Sequence, residues 1–428
     1  MTDIAASAQA APDMPAAQIA PPRRIATLDI VRGIAVMGIL AMNIVAFAMP
    51  FQAYVNPLAY GMESSADLAS WIFSFILIDG KMRGLFSFLF GASTLLVIER
   101  AEASGQSPAR VHYMRMIWLL VFGCVHFYLI WFGDILTAYA SIGLLLFLFR
   151  DQPAKVLIRW GIGLILVQLV LMGSAAGQAF SLAHASALPN AAPAVVAEWR
   201  EMAEGFSPLT PQQTAENLAL FQGSWAGLVR DRFFVHFWEP WISALSFGAE
   251  TLGYMLFGMA ALKSGFFRGD WAIARYRKWA LAGFAIGIPA YAVMAWLLVR
   301  EGFAAEWLFA LWLAASTAFR PVMIVAIAAL IVILTRGGGA LTLRIAAAGR
   351  AAFTNYLGTS ILMTTFFYGY GLGFYGTMSR AELWLVVIAM WALMLLWSKP
   401  WLDRFQYGPF EWLWRSLARM EVQPMRKA

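Results

Sequence analysis

RIATLDIVRGIAVMGILAMN, residues 24–43, has the length and apolarity of a membrane-spanning helix, yet it carries Asp29, Arg32 and Asn43. A helix in hydrocarbon excludes such groups unless they pair, face water or serve a purpose, because a charge at membrane depth costs several kcal/mol. Asp29 and Arg32 are three residues apart and share a face, as an interfacial salt bridge or as a pair that touches phosphates. Asn43 lies eleven residues beyond Arg32, three helical turns on, so one polar stripe runs from Arg32 towards Asn43.

The whole chain belongs to the same solvent. Of its 428 residues 61% are hydrophobic and 13% charged, and the mean hydropathy is +0.67, outside the range of soluble globular domains. A hydrocarbon core of about 30 Å asks for roughly 20 apolar residues per helix. Such segments occur at 28–49, 67–99, 111–132, 134–150, 155–180, 241–263, 278–299, 307–335, 351–371 and 382–399. The expected fold is therefore all-α, a polytopic membrane protein of about ten transmembrane helices. With both termini cytoplasmic, 22 of the 31 basic residues fall in inner segments, five in outer segments and four (Arg32, Lys81, Arg83, Arg320) within spans, as the positive-inside rule requires. The pI near 9.6 thus reflects topology, and no nucleic-acid partner is read from it; the bilayer is the partner.

Three stretches flank or interrupt the helices. Residues 1–22 read as an Ala- and Pro-rich disordered tail without the basic n-region of a signal peptide, and Arg23 and Arg24 hold the first span inside. Helices 1–5 of the 23–400 membrane domain end near 180, and helices 6–10 run to about 399. Between them, residues 181–240 form an outer connection with short amphipathic helices, either a solvated connector or a substrate-facing lid. Residues 401–428 alternate Trp and Phe with Arg and are expected to lie on the anionic inner leaflet. The one cysteine, Cys124, cannot form an intrachain disulfide and argues against a Cys-based metal site.

Chemistry is sought among the polar groups inside the spans. Residues 67–99 would extend roughly 50 Å at 1.5 Å per residue, so the helix tilts or breaks, and IDGKMRG places Asp79, Lys81 and Arg83 at the break. Irregular backbone at membrane depth is tolerated where it is buried in protein or lines a watery cavity. His126 lies near the outer end of the third span, and Asp134 opens the fourth after a glycine turn. Asp134 can simply cap its helix, and His126 can be a hydrogen-bonded core residue. Their closeness across one hairpin also fits an imidazole oriented by an aspartate. Glu250 lies below the outer edge of the sixth span, and Arg320 precedes Pro321 mid-span, where mutual neutralisation of the two is the plain structural reading. At the inner face, Arg32, Arg350 and Asn355 map together as a basic pocket for a phosphorylated donor such as acyl-CoA, since the arginine fork suits phosphate; interfacial snorkelling is the competing account.

RIATLDIVRGIAVMGILAMN, KMRGLFSFLFGAS, GCVHFYLIWFGDILTAYA, GRAAFTNYLGTSILMTTFFYGYGLGFYG and GPFEWLWR resemble, in order and spacing from residue 23 to about 415, the YeiB-like family of bacterial inner-membrane proteins of unknown function. That resemblance implies a multi-pass protein of the bacterial inner membrane. LDIVRG with a polar residue ten positions after its glycine is also similar to the start of transmembrane acyltransferases, the acyltransferase-three group and the heparan N-acetyltransferases. Likeness to them implies movement of an acyl group from a cytosolic donor to an acceptor at the outer face. Those families place a histidine at the position of Asn43 or in the loop that follows; PFQAYVNPLAYGMESSADLA contains none, so a shared chemistry needs a base from another helix. His126 is assigned as that base, Asp134 as its orienter, and Asn43, Lys81 or Arg83 as oxyanion donors. The alternative is a transporter of a small metabolite or lipid-linked precursor, in which His126, Asp134 and Glu250 relay protons and the two five-helix halves are inverted repeats.

Overall fold

The structure, a computed structural model, describes residues 26–427; the expected tail 1–22, Arg23 and Arg24 lie outside the described residues. It is all-helical, with a single isolated bridge between Phe405 and Arg426 and no strand among the described residues. Each of the ten apolar segments coincides with helix. By length and apolarity seven helices can cross a bilayer, and eight if the bent pair Glu239–Ser246 and Gly248–Lys263 is one span broken by 62°. The fourth segment is short because α-helix Leu136–Gly143 tightens into a 3-10 turn over Leu144–Phe149. The ninth, Ala352–Phe367, is preceded by a helix, Ala340–Arg350, where the sequence suggested a cytoplasmic loop.

The helices that position the site are α1 (Ala26–Ala48), α2 (Ser65–Leu77), α3 (Lys81–Ala103), α4 (Pro108–Val125), α5 (Leu136–Gly143), α6 (Ala154–Ser186), α7 (Gly248–Lys263), α8 (Ile273–Arg300), α9 (Ser316–Thr335), α10 (Ala340–Arg350), α11 (Ala352–Phe367), α12 (Leu383–Arg404) and α13 (Pro409–Arg419). α1 is the axis of the bundle: 78% of its apolar window is buried, against 22% for α6. It is enclosed because small residues let its neighbours approach. A Cβ on Gly33 would stand 2.1 Å from the Ile345 carbonyl oxygen, and one on Gly349 would stand 1.8 Å from that of Asp29, so α10 lies backbone to backbone on α1. α3 and α7 cross in the same way, Gly91 against the Met255 carbonyl and Gly258 against that of Phe88.

The break expected in IDGKMRG is present. α2 opens with a Ser64–Asp67 capping box, which satisfies orphan N–H groups; it stops at Leu77, and Gly80 adopts φ +67 before α3 starts at Lys81. Glycine meets that left-handed requirement without a Cβ clash. Residues 181–240 carry the short helices Pro193–Ala203, Pro211–Phe221 and Trp225–Phe234. α13 docks on the protein: Glu411 accepts from Phe353 N at 2.6 Å, Thr354 N at 3.1 Å and Thr354 Oγ1 at 2.5 Å, and Trp414 Nε1 donates to the Arg115 carbonyl at 3.0 Å.

Candidate functional site

α1 separates two cavities. Val36, Leu40, Asn43 and Phe47, spaced at helical intervals on one face, line the first together with Trp131, Tyr356, Thr359 and Ser360. Ala41, Met42 and Val45 line the second with Asp79, Tyr54 and Trp312. The outer candidates are thus divided among distinct environments instead of converging on one point.

His126 and Asp134 form a direct pair beside the first cavity. α4 ends at Val125 and gives way to a π-helical turn, His126–Ile130, an irregularity that re-aims side chains and recurs at functional sites. Nδ1 of His126 lies 2.9 Å from Asp134 Oδ1, and both side chains are fully buried. Asp134 also accepts from Leu136 N at 3.0 Å and Thr137 N at 2.7 Å, so it caps α5 and orients the imidazole at once. When Nδ1 donates to this carboxylate, a neutral imidazole carries its lone pair on Nε2. Nε2 is buried without a hydrogen-bond partner among the described residues. The ring packs against Tyr356 and Trp131, with centroids 5.1 and 6.1 Å away, and both of these line the first cavity.

Other polar atoms around this cavity are also unsatisfied. Thr359 Oγ1 in its lining is buried without a partner; Nη1 and Nη2 of Arg232, on the short helix Trp225–Phe234 and outside the lining, are buried without one as well. Arg232 neighbours Tyr368, which in turn lies beside Trp131. Buried polar groups are normally paired, with ordered water where the protein offers no partner. Asn43 shares the cavity, whereas Arg232, Thr359, Trp131 and Tyr356 were not singled out in the sequence. Thr359 and Tyr356 sit three apart in TNYLGTS, and nothing in that run separates them from ordinary packing residues.

Arg83, Glu250 and Arg320 form a second, ionic centre. Glu250 is fully buried; Arg83 Nη2 donates to its Oε2 at 2.6 Å, Arg320 Nη1 to its Oε1, and Tyr254 to Oε1 at 2.7 Å. Gln168 Oε1 accepts from the Glu250 backbone N–H at 3.3 Å. Arg320 and Glu250 therefore pair, and Arg83 joins them. Lys81 is fully buried and lines neither cavity, donating to the Phe75 carbonyl with its ammonium 3.2 Å from the Tyr291 ring centroid. Asp79 accepts from Trp312 Nε1 at 2.6 Å and from the Tyr54 hydroxyl at 3.4 Å.

At the N-terminal end of α1, Arg32 pairs with Asp29 at 3.2 Å and donates to Ser93 Oγ at 2.6 Å. Asn355 spends its amide on the protein: Nδ2 donates to the Ala348 carbonyl at 3.0 Å and to Ser398 Oγ at 3.2 Å, and Oδ1 accepts from Trp397 at 2.8 Å. Arg350 donates to the Gln406 carbonyl at 3.4 Å. Arg115, stacked 4.1 Å from the Trp414 ring, has Arg32, Arg415 and Arg419 in its field instead. In the connection 181–240, the hydrogen bond that Glu239 Oε1 accepts from His236 Nδ1 at 2.6 Å raises the pKa of His236. Among the described residues no His, Cys, Asp and Glu group can hold a metal ion.

A bundle of long apolar helices around an enclosed helix, with an ionic triad and a histidine–aspartate pair sealed inside, defines a polytopic α-helical membrane protein. Residues 261–421 match a family described as protein of unknown function (DUF418). The chain is 32% identical over 414 residues to the uncharacterized protein YeiB of Escherichia coli (strain K12), spanning 94% of this chain and 98% of that protein. It is 32% identical over 417 residues to the uncharacterized protein YxaH of Bacillus subtilis (strain 168), spanning 94% and 96%. The chain belongs to this YeiB-like family.

Proposed function

We propose that the protein is a transmembrane acyltransferase of the bacterial inner membrane, moving an acyl group from a cytosolic thioester donor to a small-molecule or lipid-linked acceptor at the outer face. The observation that carries this reading is the buried Nε2 of His126, held by Asp134 and left without a partner beside a cavity that Asn43 shares. In the proposed step the acceptor hydroxyl or amine gives its proton to Nε2 and attacks the thioester carbonyl. The thiolate then leaves and recovers a proton from the imidazolium. Asp134 stabilises that imidazolium. In this reading Asn43 and Thr359, which line the cavity, offer hydrogen bonds to the oxyanion, and Arg83, committed to Glu250, does not. The donor phosphates fit the inner arginines, Arg32 with Arg115 and Arg415 ahead of Arg350, since phosphate favours several guanidinium forks at once.

The test is transfer of labelled acetyl from acetyl-CoA to cell-envelope material by the purified protein, run beside uptake into proteoliposomes. General-base removal costs on the order of 10²–10⁴ in rate. His126→Ala is expected to lower transfer by about that much, with acetyl-CoA affinity unchanged. Equal transfer by native protein and His126→Ala, or His126-dependent uptake with no transfer, overturns the proposal.

A further inference from the structure

Arg232 is a buried charge without a counter-charge. It stands on the short helix Trp225–Phe234 and is 3% exposed, and neither Nη1 nor Nη2 has a hydrogen-bond partner among the described residues. The carboxylate within its field is Asp231, which is turned to the His236 imidazole, Oδ2 lying 3.4 Å from Nε2. Burial lowers the pKa of Arg232, as a low-dielectric site penalises any cation that is not neutralised. Arg83 and Arg320, the other buried arginines met so far, are held by Glu250; Arg232 has nothing of the kind.

Two more donors stand idle in the same place. Tyr368, just past the end of α11, lies in the field of Arg232, and its hydroxyl is buried without a partner. The Trp131 indole N–H lies beside that hydroxyl without bonding to it, and it too is buried and unpartnered. The surroundings are rings: Phe221 and Tyr375 meet Tyr368 edge to face at 5.1 and 5.8 Å, and Phe47 stacks on Trp131 at 3.8 Å. Water could satisfy the N–H and O–H groups, but it cannot neutralise a guanidinium, and an unpaired charge in such a setting is destabilising. A guanidinium, a phenol hydroxyl and an indole N–H together are a donor set, which suits an anion. Rings packed this closely crowd out a metabolite and favour an ion of about the size of a water molecule.

We propose that Arg232, Tyr368 and Trp131 bind a compact monovalent anion of the chloride class, which pins the connection 181–240 to the helical bundle. None of the three takes part in the acyl-transfer step, so the site stands apart from that reading. Thermal melts of the purified protein in potassium chloride and in potassium gluconate at equal ionic strength test it, gluconate being too large to enter. The native protein is expected to melt higher in chloride, saturably, by about 1–2 °C at a tenfold excess over the dissociation constant, and bromide should replace chloride. Arg232→Gln should lose the chloride response and melt in gluconate no lower than the native protein, because it removes the uncompensated charge. Tyr368→Phe should keep a saturable response at several-fold weaker apparent affinity. An arginine satisfied by water alone would instead give equal native melts in the two salts and a loss of stability in Arg232→Gln in both. No chloride dependence in the native protein, a full chloride response in Arg232→Gln, or an Arg232→Gln protein that melts below the native one in gluconate or does not fold overturns the proposal.

Discussion

At the scale of the residue, the side chains that carry charge inside this protein differ in how they were legible. Three ionisable residues in five positions at IDGKMRG mark a departure from a lipid-facing helix, and the break appears there. Their destinations are not local information: Asp79 turns to Trp312, Arg83 to Glu250 and Lys81 to a carbonyl and an aromatic face. Each choice is set by a helix more than 150 residues away in sequence, save for Lys81, whose carbonyl is local. His126 and Asp134 are eight residues apart on one hairpin, which is why that pair could be read directly. Asn355, expected at the donor pocket, gives both amide hydrogens to Ala348 and Ser398 while its oxygen accepts from Trp397, partners on other helical segments that the local sequence does not reveal. Glu250 gives the sharpest stability prediction. Removing one partner of a buried ionic group leaves the others uncompensated and costs about 3–5 kcal/mol. Glu250→Ala strands two arginines and Arg83→Ala strands none, since Arg320 still holds the carboxylate. Thermal melts in detergent should rank Glu250→Ala well below Arg83→Ala, and the reverse order would mean that Arg320 and Glu250 do not hold each other.

Helix positions were readable because apolar length is a direct demand of the bilayer, whereas helix crossings were not, since they depend on which glycine meets which carbonyl. α10 was overlooked for the same kind of reason. ALTLRIAAAGR carries two arginines and lacks the apolar length of a span, and it is held as a helix by backbone contact with α1 through Gly33 and Gly349. The reciprocal crossing of α3 and α7 has a measurable consequence. A Cβ on Gly258 would stand 1.8 Å from the Phe88 carbonyl oxygen, and one on Gly91 would stand 1.9 Å from that of Met255. Backbone cannot move aside as a side chain can, and overpacking a tight core typically costs about 1–3 kcal/mol. Gly258→Leu should reach the upper end of that range or prevent folding. Gly163→Leu, on α6 with nothing within 4 Å of its added Cβ, should melt as the native protein does. Equal melting temperatures for the two variants would show that α3 and α7 are farther apart than this crossing requires.

For the whole molecule, the partition of basic residues and the lengths of helices bear on the same quantity. Seven crossings would put the two chain ends on opposite sides of the membrane, while eight or ten would put them on the same side. The difference rests on the bent pair Glu239–Ser246 and Gly248–Lys263 and on the two short helical segments, Leu136–Phe149 and Ala352–Phe367. Short helices can cross when neighbours fill the rest of the membrane depth. The clustering of 22 of 31 basic residues in alternate connections favours ten crossings, with residues 181–240 outside and the arginines around Arg32 inside. A phosphatase reporter that works only outside the inner membrane is therefore expected to be active when fused after residue 210 and inactive when fused after residue 428. A fluorescent reporter that matures only in the cytoplasm should give the opposite pattern. Cytoplasmic fluorescence after residue 210 would invert the assignment of faces, separating His126 from the outer acceptor and the inner arginines from a cytosolic donor, and acyl transfer across the membrane in the proposed direction would fall with it.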